Sequence, residues 1–146
     1  MSAGAICVRT VQVAFAEETV RAVTRRMAKA GVGTVVVVGD GKRPVGVLTD
    51  RDVTLRCVAE ERDPDTTSVG AVMSAPLVCI DESMSIEASL ARMAAEKVRR
   101  LVVVDSAQAL VGILALDDVL ELLAEEATTI GRLLSRRAAA RQSGPA

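Results

Sequence analysis

Apolar and polar positions along this chain fall into blocks, and the blocks come round twice. Val11-Gln12-Val13 is short and β-prone, and the polar cluster Glu17-Glu18-Thr19 follows it. Carboxylates beside a small hydroxyl residue mark a helix start, where they meet the positive end of the helix dipole. Val20, Val23, Met27 and Ala30 then recur at helical spacing, with Arg21, Arg25 and Lys29 on another face. Gly31 is placed to terminate that helix. Val35 to Val38 is wholly apolar and branched, as suits a strand buried on both faces. Gly39-Asp40-Gly41-Lys42-Arg43-Pro44 predicts a tight hairpin into a second strand, Val45 to Leu48. A second helix begins near Asp50 and carries Val53, Leu55 and Val58.

The second round repeats each block. Leu77 to Ile80 predicts a strand, Asp81-Glu82-Ser83 a helix start, and Ile86, Leu90, Met93 and Ala94 the apolar positions of a helix. Leu101 to Val104 and Val111 to Leu114 predict two strands joined at Asp105-Ser106-Ala107-Gln108, and a helix follows from near Leu116 with Val119, Leu122 and Leu123. The register is constant at 66 residues: Gly46-Val47-Leu48 matches Gly112-Ile113-Leu114, Arg26-Met27-Ala28 matches Arg92-Met93-Ala94, and Gly4-Ala5 matches Gly70-Ala71. The expected fold class is therefore α/β (α+β): two repeats, each strand-helix-strand-strand-helix, at 4–60 and 69–125. The segment 61–68 links them, a separate C-terminal helix occupies 127–141 with Thr128 or Thr129 as its cap, and 143–146 forms a disordered tail. Units of roughly 60 residues bury little core alone, so the copies should pack with pseudo-twofold symmetry and leave clefts between them.

Composition narrows the chemistry. The 146 residues are 50% hydrophobic and 25% charged, with a net charge of −1. That is a globular balance with no field to draw in nucleic acid or an anionic membrane. Phe15 is the lone aromatic, so stacking platforms for nucleic acid are absent. No His exists, which removes the commonest general base and metal ligand. Cys7, Cys57 and Cys79 sit in apolar contexts without zinc spacing and read as free thiols in a reducing, cytoplasmic setting. No signal peptide or membrane span is visible.

The tandem unit, with Leu48-Thr49-Asp50-Arg51-Asp52 after the second hairpin strand and Val98-Arg99-Arg100-Leu101-Val102-Val103-Val104-Asp105 in the second copy, resembles the cystathionine-β-synthase (CBS) domain pair across roughly residues 4 to 125. The resemblance implies a flat two-layer module that binds adenosine-containing ligands (AMP, ADP, ATP or S-adenosylmethionine) between the copies. It also implies association as a homodimer and regulation of an enzyme, channel or transporter in the same or a separate chain. No cofactor is required by it.

Particular residues carry the candidate site. Asp52 could accept hydrogen bonds from both ribose hydroxyls, with Thr49 beside it. The alternative is a capping box in which Thr49 caps the helix and Asp52 reaches back. In the second copy Ala115 lacks the hydroxyl and Asp118 keeps the carboxylate, so two unequal sites are expected, the one with Thr49 and Asp52 better formed. By resemblance Arg99 and Arg100 face nucleotide phosphates; otherwise they are solvated charges at a helix end. Their counterparts Gly33 and Thr34 are neutral. Val13, Val47, Ile80 and Ile113 are candidate walls for the base, or simply core.

Two functions follow from different classes: an adenosine-ligand sensor, or a ligand-independent dimerisation or docking scaffold. An enzyme is disfavoured because no nucleophile is paired with a base.

Overall fold

The computed structural model of the chain describes residues 1–144. Its elements run α1 (Ala3–Ile6), β1 (Val13–Ala14), α2 (Val20–Ala30), β2 (Thr34–Val38), β3 (Pro44–Thr49), α3 (Asp50–Val53), α4 (Val69–Val72), β4 (Cys79–Asp81), α5 (Ile86–Glu96), β5 (Arg100–Val104), β6 (Leu110–Ala115) and α6 (Leu116–Gln142). A π-helical turn, Thr54–Val58, prolongs α3. The fold is mixed α and β, with two three-stranded sheets in the orders β1-β2-β3 and β4-β5-β6. In each sheet the first pair is parallel and the second antiparallel, with a register shift at Val37/Val38 and again at Val103/Val104. The 66-residue repeat is thus a repeat of hydrogen bonding as well as of sequence.

Local chemistry explains the helix limits. Thr49 caps α3, Thr19 caps α2, and Ser85, the residue equivalent to Thr19, caps α5, each hydroxyl accepting a backbone N–H. The start of α5 therefore lies beyond the Asp81-Glu82-Ser83 cluster, whose Asp81 instead holds Ser83 in a turn. Gly31 closes α2 with φ of 66°, and Lys97 occupies the matching left-handed position at φ of 55°. Val35 to Val38 and Leu101 to Val104 are buried on both faces, as their composition requires.

Two elements were not visible in the hydrophobic pattern: α1 and α4, of four residues each. They decide how the copies join. Val69 and Val72 of α4, at the start of the second repeat, are buried in the first core with Val20, Val23, Val35, Val37 and Leu48. Ala3 and Cys7, around α1 at the start of the first repeat, are buried in the second core with Ile80, Leu101, Val103, Leu114 and Val119. Each repeat therefore lends its opening segment to the other. The segments continue as backbone bridges: Ser74 exchanges hydrogen bonds with Val47 of β3, and Val8 with Ile113 of β6.

The C-terminal region departs from expectation. The helix expected separately at 127–141 is the outer part of α6, which runs unbroken from Leu116 to Gln142. Thr128 and Thr129 are not caps: their hydroxyls donate back to the carbonyls of Ala124 and Glu125 within the helix. Of the expected tail, Ser143 donates its N–H to Ala139 O and closes α6; Pro145 and Ala146 lie outside the described residues. Cys7, Cys57 and Cys79 are free thiols, and burial pushes Cys7 and Cys79 above the usual thiol range.

The bridges need room at Gly46 and Gly112, which occupy equivalent positions. A Cβ on Gly112 would collide with the Val8 carbonyl oxygen, a backbone atom that cannot rotate away. One on Gly46 would meet Met73 Sδ at 2.5 Å, which a flexible side chain can yield. Gly112→Ala should cost about 1–3 kcal/mol of stability and Gly46→Ala less, read from urea unfolding midpoints. An unshifted midpoint for Gly112→Ala would show that the bridge gives way freely.

Candidate functional site

Two clefts open between the repeats, related by the pseudo-twofold. The first, about 360 Å³, is lined by Thr34, Val47 and Thr49 from the first copy and by Ser74, residues 76–78, 98–102 and Ile113 around the second. The other, about 320 Å³, is lined by Val8, Thr10–Gln12, Val32–Thr34, Arg100, Ile113, Ala115 and Asp118. Both volumes lie within the range of small-molecule sites, about 300–1,000 Å³.

The symmetry crosses the copies. Arg99 and Arg100 belong to the second copy, yet they face Thr49 of the first across one cleft, with Val47 and Ile113 as its apolar walls. The hydroxyl and the basic pair, which reading along each repeat assigned to different sites, are thus brought together. Arg100 and Ile113 also line the second cleft. Of the other wall candidates, Val13 lines a separate surface groove and Ile80 is core.

Asp52 does not line the first cleft. It is buried, at 7% exposure, and its carboxylate is already engaged. Thr49 N–H donates to its Oδ2 at 3.0 Å, and Asp52 N–H donates to Thr49 Oγ1 at 3.1 Å. That is the capping box. Ser74 Oγ donates to Asp52 Oδ1 at 3.0 Å, and Arg56 Nη1 lies 3.4 Å from the same oxygen. Arg56 also donates to Ser74 Oγ and to the carbonyls of Val72 and Met73. Asp52 and Arg56 therefore tie the visiting segment of the second repeat to the first. The expectation of a ribose-gripping Asp52 shifts: the carboxylate stands behind the cleft and orients two hydroxyls, Thr49 and Ser74, that do line it. Ser74 was missed because its partners lie 18 and 22 residues away. Thr49 Oγ1 accepts from the backbone and so keeps its own proton for a ligand.

Asp118 is placed differently. Ala115 N–H donates to its Oδ2 at 3.2 Å. Among the described residues nothing pairs with Oδ1, and Asp118 lines the second cleft. The residues matching Ser74 and Arg56 are Val8 and Leu122, both apolar, so no network draws this carboxylate inward. The expectation of a better-formed first site is thereby divided: the first cleft has the hydroxyls and the arginines, the second the available carboxylate.

Both arginines are exposed. Arg99 pairs with Asp117 at 3.1 Å, with both side chains more than 70% exposed, so the pair adds little to stability and yields readily. Arg100 forms no ion pair among the described residues. Nor do any three His, Cys, Asp or Glu side chains there form a metal-sized group.

The profile of the CBS domain matches residues 3–58 and 69–125. The chain belongs to the CBS domain family. It is 41% identical to CBS domain-containing protein YhcV of Bacillus subtilis, over 75% of this chain and 78% of that one. Uncharacterized protein MK0525 of Methanopyrus kandleri is 30% identical over 83% of this chain, and the match spans 62% of that relative's length. Among solved structures, Hypoxic Response Protein I with two coordinated zinc ions superposes with a TM-score of 0.73 at 30% identity, covering 83% of this chain and 98% of that one. The cytosolic domain of the Mg2+ channel MgtE in complex with ATP gives 0.71 at 28% identity, covering 83% of this chain and 48% of that one. No helix among the described residues is long and apolar enough to cross a membrane.

The two aspartates should separate by stability. Asp52→Ala removes the acceptor for the Thr49 N–H in the capping box and the carboxylate shared by Ser74 and Arg56, so unfolding free energy should fall by about 1–2 kcal/mol. Asp118→Ala loses one hydrogen bond and should fall by about half as much. Equal losses in chemical denaturation would show that the Arg56–Ser74 network contributes nothing.

Proposed function

We propose that this CBS pair is a regulatory module that binds an adenosine-containing ligand, with the first cleft taking an anionic nucleotide such as AMP, ADP or ATP. One observation carries the reading. A single cleft gathers apolar walls, the hydroxyl residues Thr34, Thr49 and Ser74, and two exposed guanidinium groups, drawn from both repeats. A nucleotide presents the complementary sequence: an apolar base, a polyol and an anion. Guanidinium forks suit phosphate because they form paired, charge-assisted bonds. The kinship with the MgtE cytosolic domain, solved with ATP, supports the same ligand class.

The second cleft suits a ribose with less phosphate. Asp118 Oδ1 is an acceptor for vicinal hydroxyls, and Arg100 is the single cation there. S-adenosylmethionine, which carries a ribose and no phosphate, belongs with this chemistry. The module, on this reading, works as a homodimer and acts on an effector enzyme or transporter rather than on a substrate of its own.

Titration calorimetry with ATP, AMP, adenosine and S-adenosylmethionine tests this on the full chain. A nucleotide at 100 times its dissociation constant should raise unfolding free energy by about 2.7 kcal/mol. Arg99→Ala with Arg100→Ala should weaken ATP or AMP by about tenfold or more and leave adenosine nearly unchanged. Equal losses across all ligands would sink the phosphate grip. Absence of heat and of thermal shift with every ligand would assign the chain to the docking-scaffold reading instead.

A further inference from the structure

Beyond Leu123, α6 leaves the body: residues 124–142 are exposed without interruption. This is about 28 Å of helix at 1.5 Å per residue. A lone helical segment of that length is marginal in water and is ordinarily held by contacts along one face. Such a face exists. Leu116, Leu120, Leu123, Ala127, Ile130 and Leu134 are spaced alternately four and three residues apart, the period of a coiled-coil seam. Leu120, Leu123, Ile130 and Leu134 are 49–60% exposed, and none of them belongs to either buried core among the described residues.

Charge identifies what covers the seam. Between Leu116 and Glu126 the helix holds Asp117, Asp118, Glu121, Glu125 and Glu126 and no cation. From Ala127 to Gln142 it holds Arg132, Arg136, Arg137 and Arg141 and no acid. Two parallel copies would set acid on acid and base on base along the whole contact. Two antiparallel copies set each acidic half against a basic one. We propose that α6 pairs with α6 of a second copy of this chain as a short antiparallel coiled coil.

The register follows from the seam. Leu123 lies opposite Leu134 of the second copy, and Ala127 opposite Ile130, so small meets large in the central layers. One layer further out Arg137 covers Leu120, its stem on the leucine and its head beside Glu121. At the end Arg141 lies beside Asp117, next to Leu116, whose side chain already packs partly on the second core. The arrangement is closed by a twofold axis and does not propagate. It names a surface for the homodimer proposed above and rests on that part of the reading, but not on ligand binding.

Sedimentation equilibrium of the full chain, with and without Ile130→Glu and Leu134→Glu together, tests the contact. Both residues are exposed, so the fold should survive, and circular dichroism checks this. A wild-type dimer that becomes a monomer in the variant supports the proposal. A wild-type monomer at all concentrations overturns both the contact and the homodimer. A dimer that persists in the variant overturns the contact and leaves the homodimer standing on another surface. Orientation is read from mild oxidation: Leu123→Cys and Leu134→Cys proteins should form a disulfide when mixed and not when alone. Self-linking of Leu123→Cys overturns the antiparallel register.

Discussion

The structure depends on a reciprocal loan. Each repeat gives its first short helix to the core of the other, so neither core is complete without the partner repeat. Val69 and Val72 are fully buried among residues of the first unit, and Ala3 among those of the second. Fully burying a side chain of valine size is worth about 1.5–3 kcal/mol, so the exchanged segments carry a substantial share of a margin that is small for any domain. The backbone bridges Ser74–Val47 and Val8–Ile113 then fix the distance between the sheets. The clefts are the space left beside those bridges: Ser74 and Val47 line one, Val8 and Ile113 the other.

The bridges share a backbone pattern and differ in side chains, and the difference sets the chemistry of each cleft. At the first, Ser74 meets a buried carboxylate and a guanidinium, and Asp52 is consumed by them. At the second, Val8 and Leu122 stand in the same places, and Asp118 stays outward. A carboxylate that anchors a crossing segment has its lone pairs spoken for; one that anchors nothing retains them. The difference in lining between the clefts thus follows from how each bridge is held, polar at one and apolar at the other.

Much of this was legible in the sequence. The hairpins, the amphipathic helices and the caps Thr19, Thr49 and Gly31 follow from local pattern, and the constant offset predicts two equivalent units. The exchange was not legible, because Ala3–Ile6 and Val69–Val72 are too short to show a helical period and their partners are remote in sequence. The structure groups the candidate residues differently from the sequence pattern, and it leaves Asp52 out of both cleft linings. Thr49 was joined to Asp52 by proximity along the chain, whereas the cleft joins it to Arg99 and Arg100 across the pseudo-twofold. One signal was present and unused: the 66-residue offset, applied to Arg56 and Ser74, lands on Leu122 and Val8, which already distinguishes the two aspartates. The unbroken α6 was misread for a different reason. Thr128 and Thr129 resemble caps, but a threonine whose hydroxyl bonds to the carbonyl four residues back sits comfortably inside a helix.

That continuity matters for function. α6 opens with Asp118 in the second cleft, presents Asp117 to Arg99 at the first, and extends without a break to the exposed seam. In the proposed binding mode a phosphate on Arg99 would compete directly with Asp117, a pair at 3.1 Å that is exposed and weakly held. In the same proposed mode a ribose on Asp118 would touch the first turn of that helix. The two clefts therefore converge on one rigid element, and a change in its tilt at the first turn is multiplied along about 40 Å of helix. On the proposed reading, a sensor needs its ligand sites and its output surface on a common mechanical part, and one helix would be that part.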